Sequence, residues 1–235
     1  MKRTLLLLLL SLSVHAAELR VSAAASLTDV LLELGAFYQQ RTGTRVVFNF
    51  GASGMLARQI IEGAPADVFV SADERQMDRV PAVVRRRLLS NVLVVIVPAG
   101  EPPADQPAGP PALLKLERIA IANPETVPAG AYAKEWLIRR GLWSAVAPHL
   151  IPTDNVRAAL AAVESRNVDA GIVYRTDAKI SRRVRVAFEI ADGPPISYPG
   201  AVLRGAANPA DARRFLDFLA SPYAQRVFRR YGFVV

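Results

Sequence analysis

The chain has 235 residues, of which 29 are Lys or Arg and 21 are Asp or Glu, so its formal net charge is +8. It contains no cysteine, which excludes disulfides, thiol nucleophiles, cysteine-ligated metals and lipid attachment at a cysteine. Most of the basic residues are arginines in short clusters spread along the chain. That pattern is typical of a solvated surface and argues against a nucleic-acid partner.

The first residues, MKRTLLLLLLSLSVHAAEL, have the pattern of a secretory signal peptide: two cations, an apolar run and then small residues. Val14 and Ala16 fit the small-residue rule for cleavage after Ala16. The run is shorter than the roughly 18 apolar residues of a membrane anchor. We therefore expect residues 1–16 to be removed and the mature chain not to insert into a membrane. Without a lipid tether, retention requires an outer membrane, which predicts the periplasm.

The first half of the mature chain predicts an alternation of strands and helices. Strands are predicted at 19–23, 46–50 and 67–70. Apolar residues at helical spacing between the first two strands predict a helix that ends at Gly43. Ser26 and Asp29 fit a capping box at the start of this helix.

The second half continues the alternation after an interruption. The segment 98–111 holds six prolines and is interpreted as a surface excursion. Strands are predicted at 93–97, 118–122 and 171–174, with helices that begin near Pro128 and Asn155 and two closing helices at 211–219 and 223–231. The pattern as a whole predicts an α/β protein with two lobes.

Several strand-to-helix turns consist of small, uncharged residues. The stretch FGASGMLARQ, residues 50–59, begins a helix with one serine and no charged side chain before Arg58. A helix N-terminus leaves backbone N–H groups unpaired and attracts anions, and glycine or alanine lets a ligand approach those groups closely. Similar turns occur at Ser26, at 128–130 and at Asn155. Each of these turns taken alone also fits an ordinary helix cap.

Other chemistries have little support in the sequence. His149 is the only histidine that remains after signal removal, and neither a G-x-S-x-G elbow nor a GxxxxGK[ST] loop occurs. An exported serine hydrolase would have to combine a serine of GASG with His149, and this stays open as an alternative of another class.

Six segments in order resemble the periplasmic molybdate-binding proteins of ABC transporters. They are AAASLTDVL, FGASGMLARQIIEGAPADVFVSAD, NPETVPAGAYAKEWL, DNVRAALAAVES, AGIVYRTDA and RRYGF, and together they cover essentially the whole mature chain. The effector-sensing half of a transcription regulator shares this architecture, but the signal peptide and the lack of a preceding helix-turn-helix argue against it.

The resemblance implies a two-lobed type II periplasmic binding protein fold with the ligand cleft between the lobes. Residues 17–91 are expected to form the first part of lobe 1, 92–196 to form lobe 2, and 197–235 to return to lobe 1. Gly200 then lies in a strand that crosses between lobes, where glycine is expected to soften the hinge. The oxyanion contacts implied by the motifs are Ser26, Ser53, Ala129, Val156 and Tyr174.

The implied function is capture of molybdate, and also tungstate, for an inner-membrane ABC permease, by a monomer that is not an enzyme and carries no cofactor. The oxyanion would be held through its oxygens, with no side chain on the metal centre. All five contacts are neutral donors, so a partly protonated phosphate, whose O–H needs an acceptor, is expected to be disfavoured. Sulfate would be rejected by size. The same scaffold tuned to tungstate or sulfate remains the nearest alternative.

Overall fold

The computed structural model describes residues 18–100 and 108–235. The predicted signal peptide and residues 101–107 of the proline-rich segment lie outside this range. No helix in the described residues is both long and apolar enough to cross a membrane.

The strands, in chain order, are β1 (Glu18–Ala24), β2 (Arg45–Gly51), β3 (Val68–Val70), β4 (Ala82–Leu89), β5 (Leu93–Pro98), β6 (Ile119–Ala122), β7 (Leu150–Thr153), β8 (Ala170–Tyr174), β9 (Val184–Glu189) and β10 (Tyr198–Leu203). The helices are α1 (Thr28–Thr42), α2 (Ser53–Ile61), α3 (Glu74–Met77), α4 (Pro128–Arg139), α5 (Trp143–Val146), α6 (Val156–Glu164), α7 (Arg175–Ile180), α8 (Pro209–Leu219) and α9 (Pro222–Tyr231). Three 3₁₀ turns occur at Ala25–Leu27, Pro110–Lys115 and Ala147–His149.

The strands form two mixed sheets of five strands each. The first sheet has the order β2-β1-β3-β10-β4 and the second has the order β7-β6-β8-β5-β9. In each sheet three parallel strands are followed by two strands that run antiparallel to their neighbours. We call the first sheet with α1–α3, α8 and α9 the first lobe, and the second sheet with α4–α7 the second lobe.

The predicted α/β, two-lobed fold class is confirmed, and all six predicted strands are present. Helix α1 ends at Gly43, whose φ of 73° is the left-handed conformation that glycine adopts readily. Of the other four strands, β10 is the strand in which Gly200 was expected, and β4, β7 and β9 were not predicted. The predicted limits of the lobes stay predictions; the chain passes between the sheets after Leu89 and again before Tyr198.

One local prediction was wrong. Ser26 and Asp29 form no capping box, because the Ser26 hydroxyl contacts the phenol of Tyr198 and Asp29 pairs with Arg157. The hinge role expected for Gly200 stays a prediction, since the structure shows only how Gly200 packs. Gly200 lies inside β10, where an added Cβ would be 2.7 Å from Cδ1 of Leu88 and 2.9 Å from Cδ1 of Leu216. The glycine therefore makes room for close packing on the first sheet.

The parallel strands direct their carboxyl ends toward the space between the lobes. In the first sheet Ala24 of β1 pairs with Gly51 of β2. In the second, Ala122 of β6 pairs with Thr153 of β7. Ligands of open α/β sheets bind beyond the carboxyl ends of their strands. The register therefore brings the small-residue turns of each lobe side by side.

Candidate functional site: an uncharged cavity between the lobes

One small cavity lies between the lobes, and all five residues predicted from the sequence line it. These are Ser26, Ser53, Ala129, Val156 and Tyr174. About 10 Å³ is available to the centre of a water-sized sphere, so the cavity suits a single compact solute. The structure thus brings together five turns that are far apart in the sequence.

Ser53 begins α2 and is buried at the cavity wall. Its Oγ accepts a hydrogen bond from the backbone N–H of Ala72, with N and Oγ 3.0 Å apart. A hydroxyl that already accepts one bond keeps its own proton for donation. No side-chain cap is present at this helix start. Ser53 can therefore donate from both its hydroxyl and its backbone.

Ser26 lies in the 3₁₀ turn between β1 and α1. Its Oγ is 3.0 Å from the phenolic oxygen of Tyr198, and the same phenol accepts a 3.4 Å hydrogen bond from Nδ2 of Asn91. When Tyr198 accepts from Asn91 and donates to Ser26, the Ser26 proton is free to point into the cavity. Burial raises the pKa of Tyr198, which keeps the phenol protonated in this role.

The second lobe contributes backbone amides. Pro128 occupies the first position of α4 and has no N–H, so Ala129 supplies the first amide of that helix. Asn155 caps α6: its Oδ1 accepts from the N–H groups of Arg157 and Ala158, at 2.9 and 3.1 Å. This cap does not use the N–H of Val156, which is the first amide of the helix and belongs to a residue of the cavity lining.

Tyr174 completes the cavity from the end of β8. The residue is 1% exposed, and among the described residues its hydroxyl has no hydrogen-bond partner. Burial raises the pKa of this phenol well above its ordinary value, and the nearby Tyr198 adds to the rise. The hydroxyl is therefore a protonated donor at neutral pH. A buried donor without a partner is costly, so it indicates a place where a ligand acceptor belongs.

No residue of the described cavity lining is ionisable at neutral pH. Asp154, which precedes the lining residue Asn155 in the sequence, lines a separate groove of about 510 Å³ and is not part of the cavity lining. His149 is not among the described lining residues either. Helix N-termini and neutral donors surround the enclosed space, an arrangement that stabilises a small anion without a counter-ion.

Gly54 was expected to let a ligand approach the turn FGASGMLARQ closely, but it is not among the residues that line the cavity. An added Cβ at Gly54 would lie 2.2 Å from the backbone oxygen of Thr126 in the other lobe. Gly54 itself lines the separate groove that Asp154 also lines. The missing side chain allows the two lobes to meet, whereas the neighbours Gly51 and Ala52 do line the cavity.

Three polar residues around the site were not found from the sequence: Asn91 and Tyr198 behind Ser26, and Arg157 beside Val156. None belongs to a spacing pattern that indicates chemistry. Tyr198 contacts Ser26, which is 172 positions away in the chain, and Asn91 contacts Tyr198 across 107 positions. Local sequence patterns do not indicate contacts over such distances.

The fold and the cavity define a class: a two-lobed α/β binding protein that encloses a small solute between its lobes. The chain belongs to the bacterial extracellular solute-binding protein family, whose model matches residues 19–234.

Individual relatives agree with this assignment. The molybdate-binding protein ModA of Escherichia coli strain K12 is 40% identical over 230 residues, which are 93% of this chain and 89% of the relative. ModA of Haemophilus influenzae is 41% identical over 229 residues, 92% and 90% of the two chains. The solved periplasmic molybdate-binding protein of Azotobacter vinelandii matches with a TM-score of 0.83 and 26% identity, covering 92% of this chain and 99% of that one.

Proposed function

We propose that this chain captures molybdate, and also tungstate, in the cavity between its lobes. The observation that carries the proposal is the lining itself, which surrounds a space for one compact solute with neutral donors. Among them is the phenol of Tyr174, which has no hydrogen-bond partner within residues 18–100 and 108–235. The relatives named for molybdate match nearly the whole chain. Ser26, Ser53, Ala129, Val156 and Tyr174 are the proposed contacts, and they hold the oxyanion through its oxygens.

The donor set supports a preference for a fully deprotonated dianion. A partly protonated phosphate carries an O–H group, which needs an acceptor. Oδ1 of Asn155, the side-chain carbonyl oxygen in the lining, already accepts from two amides. Tungstate matches molybdate in charge and nearly in size, so both fit the same donors. Sulfate has shorter bonds, which leave its oxygens out of reach of some of them.

The proposed place in transport follows from the sequence and the family. The signal peptide is cleaved after Ala16, the mature protein is a monomer in the periplasm, and the loaded form delivers its oxyanion to an inner-membrane ABC permease. The protein acts as a carrier, without a cofactor and without enzymatic activity.

Isothermal titration of the mature protein with molybdate, tungstate, sulfate and phosphate at neutral pH tests the ligand. We expect tight one-to-one binding of the first two and little response to the others. Equal affinity for sulfate would make the chain a general oxyanion carrier, and no response to any of the four would overturn the proposal.

The hydrolase alternative has its own control. Replacing His149 by Ala abolishes ester hydrolysis if the chain is a serine hydrolase, whereas a carrier shows no such activity in either form. His149→Ala is also expected to bind molybdate with unchanged affinity.

A further inference from the structure

Arg157 follows the cavity residue Val156 but does not line the cavity, and its guanidinium contacts both lobes. Within its own lobe, Nε lies 2.6 Å from Oδ1 of Asp177. Toward the first lobe, Nη2 lies 2.7 Å from Oδ2 of Asp29 and donates a 3.3 Å hydrogen bond to the carbonyl oxygen of Ser26. One side chain therefore joins α6 and α7 to the start of α1.

Asp177, the partner of Arg157 within the second lobe, holds the guanidinium in this position. The Asp177 side chain is fully buried, and its Oδ2 accepts the backbone N–H of Tyr174 at 3.2 Å. Burial raises the pKa of Asp177 to about 6, against the opposing charge of Arg157, so the carboxylate is mainly ionised at pH 7. The contacts with Asp177 and Asp29 are close ion pairs without hydrogen-bond geometry, so the guanidinium attracts both carboxylates by its charge.

The contacts to Asp29 and Ser26 form only when the lobes are together. Asp29 lies in the first turn of α1 and Ser26 in the preceding 3₁₀ turn, both in the first lobe. The side chain of Arg157 is 22% exposed and that of Asp29 is 42% exposed, so water and salt screen this ion pair in part.

On the basis of the proposed function, we propose that Arg157 is a positioning residue for oxyanion binding, and that its cross-lobe contacts with Asp29 and Ser26 stabilise the closed form and slow release of the ligand. Arg157 touches two of the turns that hold the ligand, at Ser26 directly and at Tyr174 through Asp177. Breaking the contact with Asp29 shifts the equilibrium toward the open lobes without removing any ligand contact.

The test uses Asp29→Asn with Glu33→Gln as a matched control. Glu33 lies on the same helix and pairs with Arg230 and Tyr231 within the first lobe. Both substitutions remove one negative charge from α1, but only the first removes a cross-lobe contact. We expect Asp29→Asn to raise the dissociation rate and the Kd for molybdate about tenfold, and Glu33→Gln to change either by less than about twofold.

The sign of this effect separates the proposal from a simple charge effect. Removing a carboxylate near an anion site removes a Coulomb repulsion and by itself strengthens anion binding. Loss of the cross-lobe contact instead weakens anion binding. The loss is also expected to shrink at 1 M NaCl, because salt screens the ion pair of the parent protein. Equal dissociation rates for the two variants, or tighter binding by Asp29→Asn, would overturn the proposal.

A second readout needs no ligand and therefore separates this proposal from the proposed function. The chain has no cysteine, so spin labels can be attached specifically at Ile61→Cys and Ile138→Cys, one exposed position in each lobe. In the empty protein, Asp29→Asn is expected to lower the closed fraction relative to Glu33→Gln. If no oxyanion binds to the parent protein, equal closed fractions in the two variants would overturn the role of Arg157.

Discussion

The sheets of the two lobes share one arrangement, three parallel strands followed by two antiparallel strands, yet the lobes contribute different kinds of donor to the cavity. The first lobe places two hydroxyls there, on Ser26 and Ser53, and each hydroxyl also contacts the surrounding protein. The second lobe contributes the amides of Ala129 and Val156 and the phenol of Tyr174, whose hydroxyl has no partner in the described part of the chain. In the first lobe, binding and local structure therefore depend on the same atoms, whereas in the second lobe they are largely separate.

The largest expected effect comes from keeping the two lobes apart. In Gly54→Ala the new methyl group collides with the backbone oxygen of Thr126, 2.2 Å from the ideal Cβ. Overpacking of this kind costs about 1–3 kcal/mol, so molybdate affinity is expected to fall by up to about 100-fold. Titration calorimetry measures the loss. Gly205→Ala, where an added Cβ meets nothing within 4 Å, is the control and is expected to bind normally.

Removing one amide donor of the second lobe gives the next largest effect. Proline is favoured at the first position of a helix, so Val156→Pro removes the N–H while keeping α6. A hydrogen bond to a charged group contributes about 1.5–3 kcal/mol, so affinity is expected to fall at least about tenfold. Val156→Ala keeps the amide and is expected to bind almost normally. Equal losses in both variants would show that the side chain, not the backbone, matters.

The two lobes are expected to respond differently to loss of a hydroxyl. Ser53→Ala and Tyr174→Phe each remove one ligand donor, and each is expected to weaken molybdate binding about tenfold. Ser53→Ala also leaves the N–H of Ala72 without its acceptor, which costs about 1–3 kcal/mol of unfolding free energy. Tyr174→Phe removes a hydroxyl that has no partner among the described residues, so thermal unfolding of the empty protein is not expected to shift downward. A fall in both melting temperatures would contradict the difference between the lobes.

The smallest expected effect is that of alkaline pH. Burial raises the pKa of both Tyr174 and Tyr198 above the ordinary phenol value. A raised pKa keeps an acid protonated to higher pH, so neither phenol loses its proton between pH 7 and pH 9. Molybdate affinity is expected to change by less than about twofold over this range. A marked decline toward pH 9 would show that a donor ionises within it.

Local patterns in the sequence predicted the features that depend on neighbouring residues in the chain, such as the ends of helices. Gly43 ends α1 because glycine adopts positive φ readily, and Asn155 begins α6 because its side chain satisfies two free amides. β4 was missed because three successive arginines, at 85–87, hide its strand pattern. In the structure two of them form exposed ion pairs, Arg85 with Glu74 and Asp78, and Arg86 with Asp217.

The candidate site was predictable where a contact belongs to a strand-to-helix turn. The family resemblance implied all five residues, and small-residue turns independently indicated the places of four of them, Tyr174 excepted. The structure gathers the five around one cavity. Tyr198 and Arg157 were not predictable in this way. Their roles depend on contacts between lobes or across the first sheet, and an isolated tyrosine or arginine carries no local sign of its distant partner.

The absence of ionised groups from the described cavity lining also bears on how the protein returns to its starting state. When the lobes separate, water molecules can take the place of the oxyanion at each hydroxyl and amide, one hydrogen bond for another. No proton has to be taken up, no counter-ion has to follow, and no covalent bond has to be broken. Each round of loading and unloading therefore leaves the residues of the cavity in the same protonation state as before.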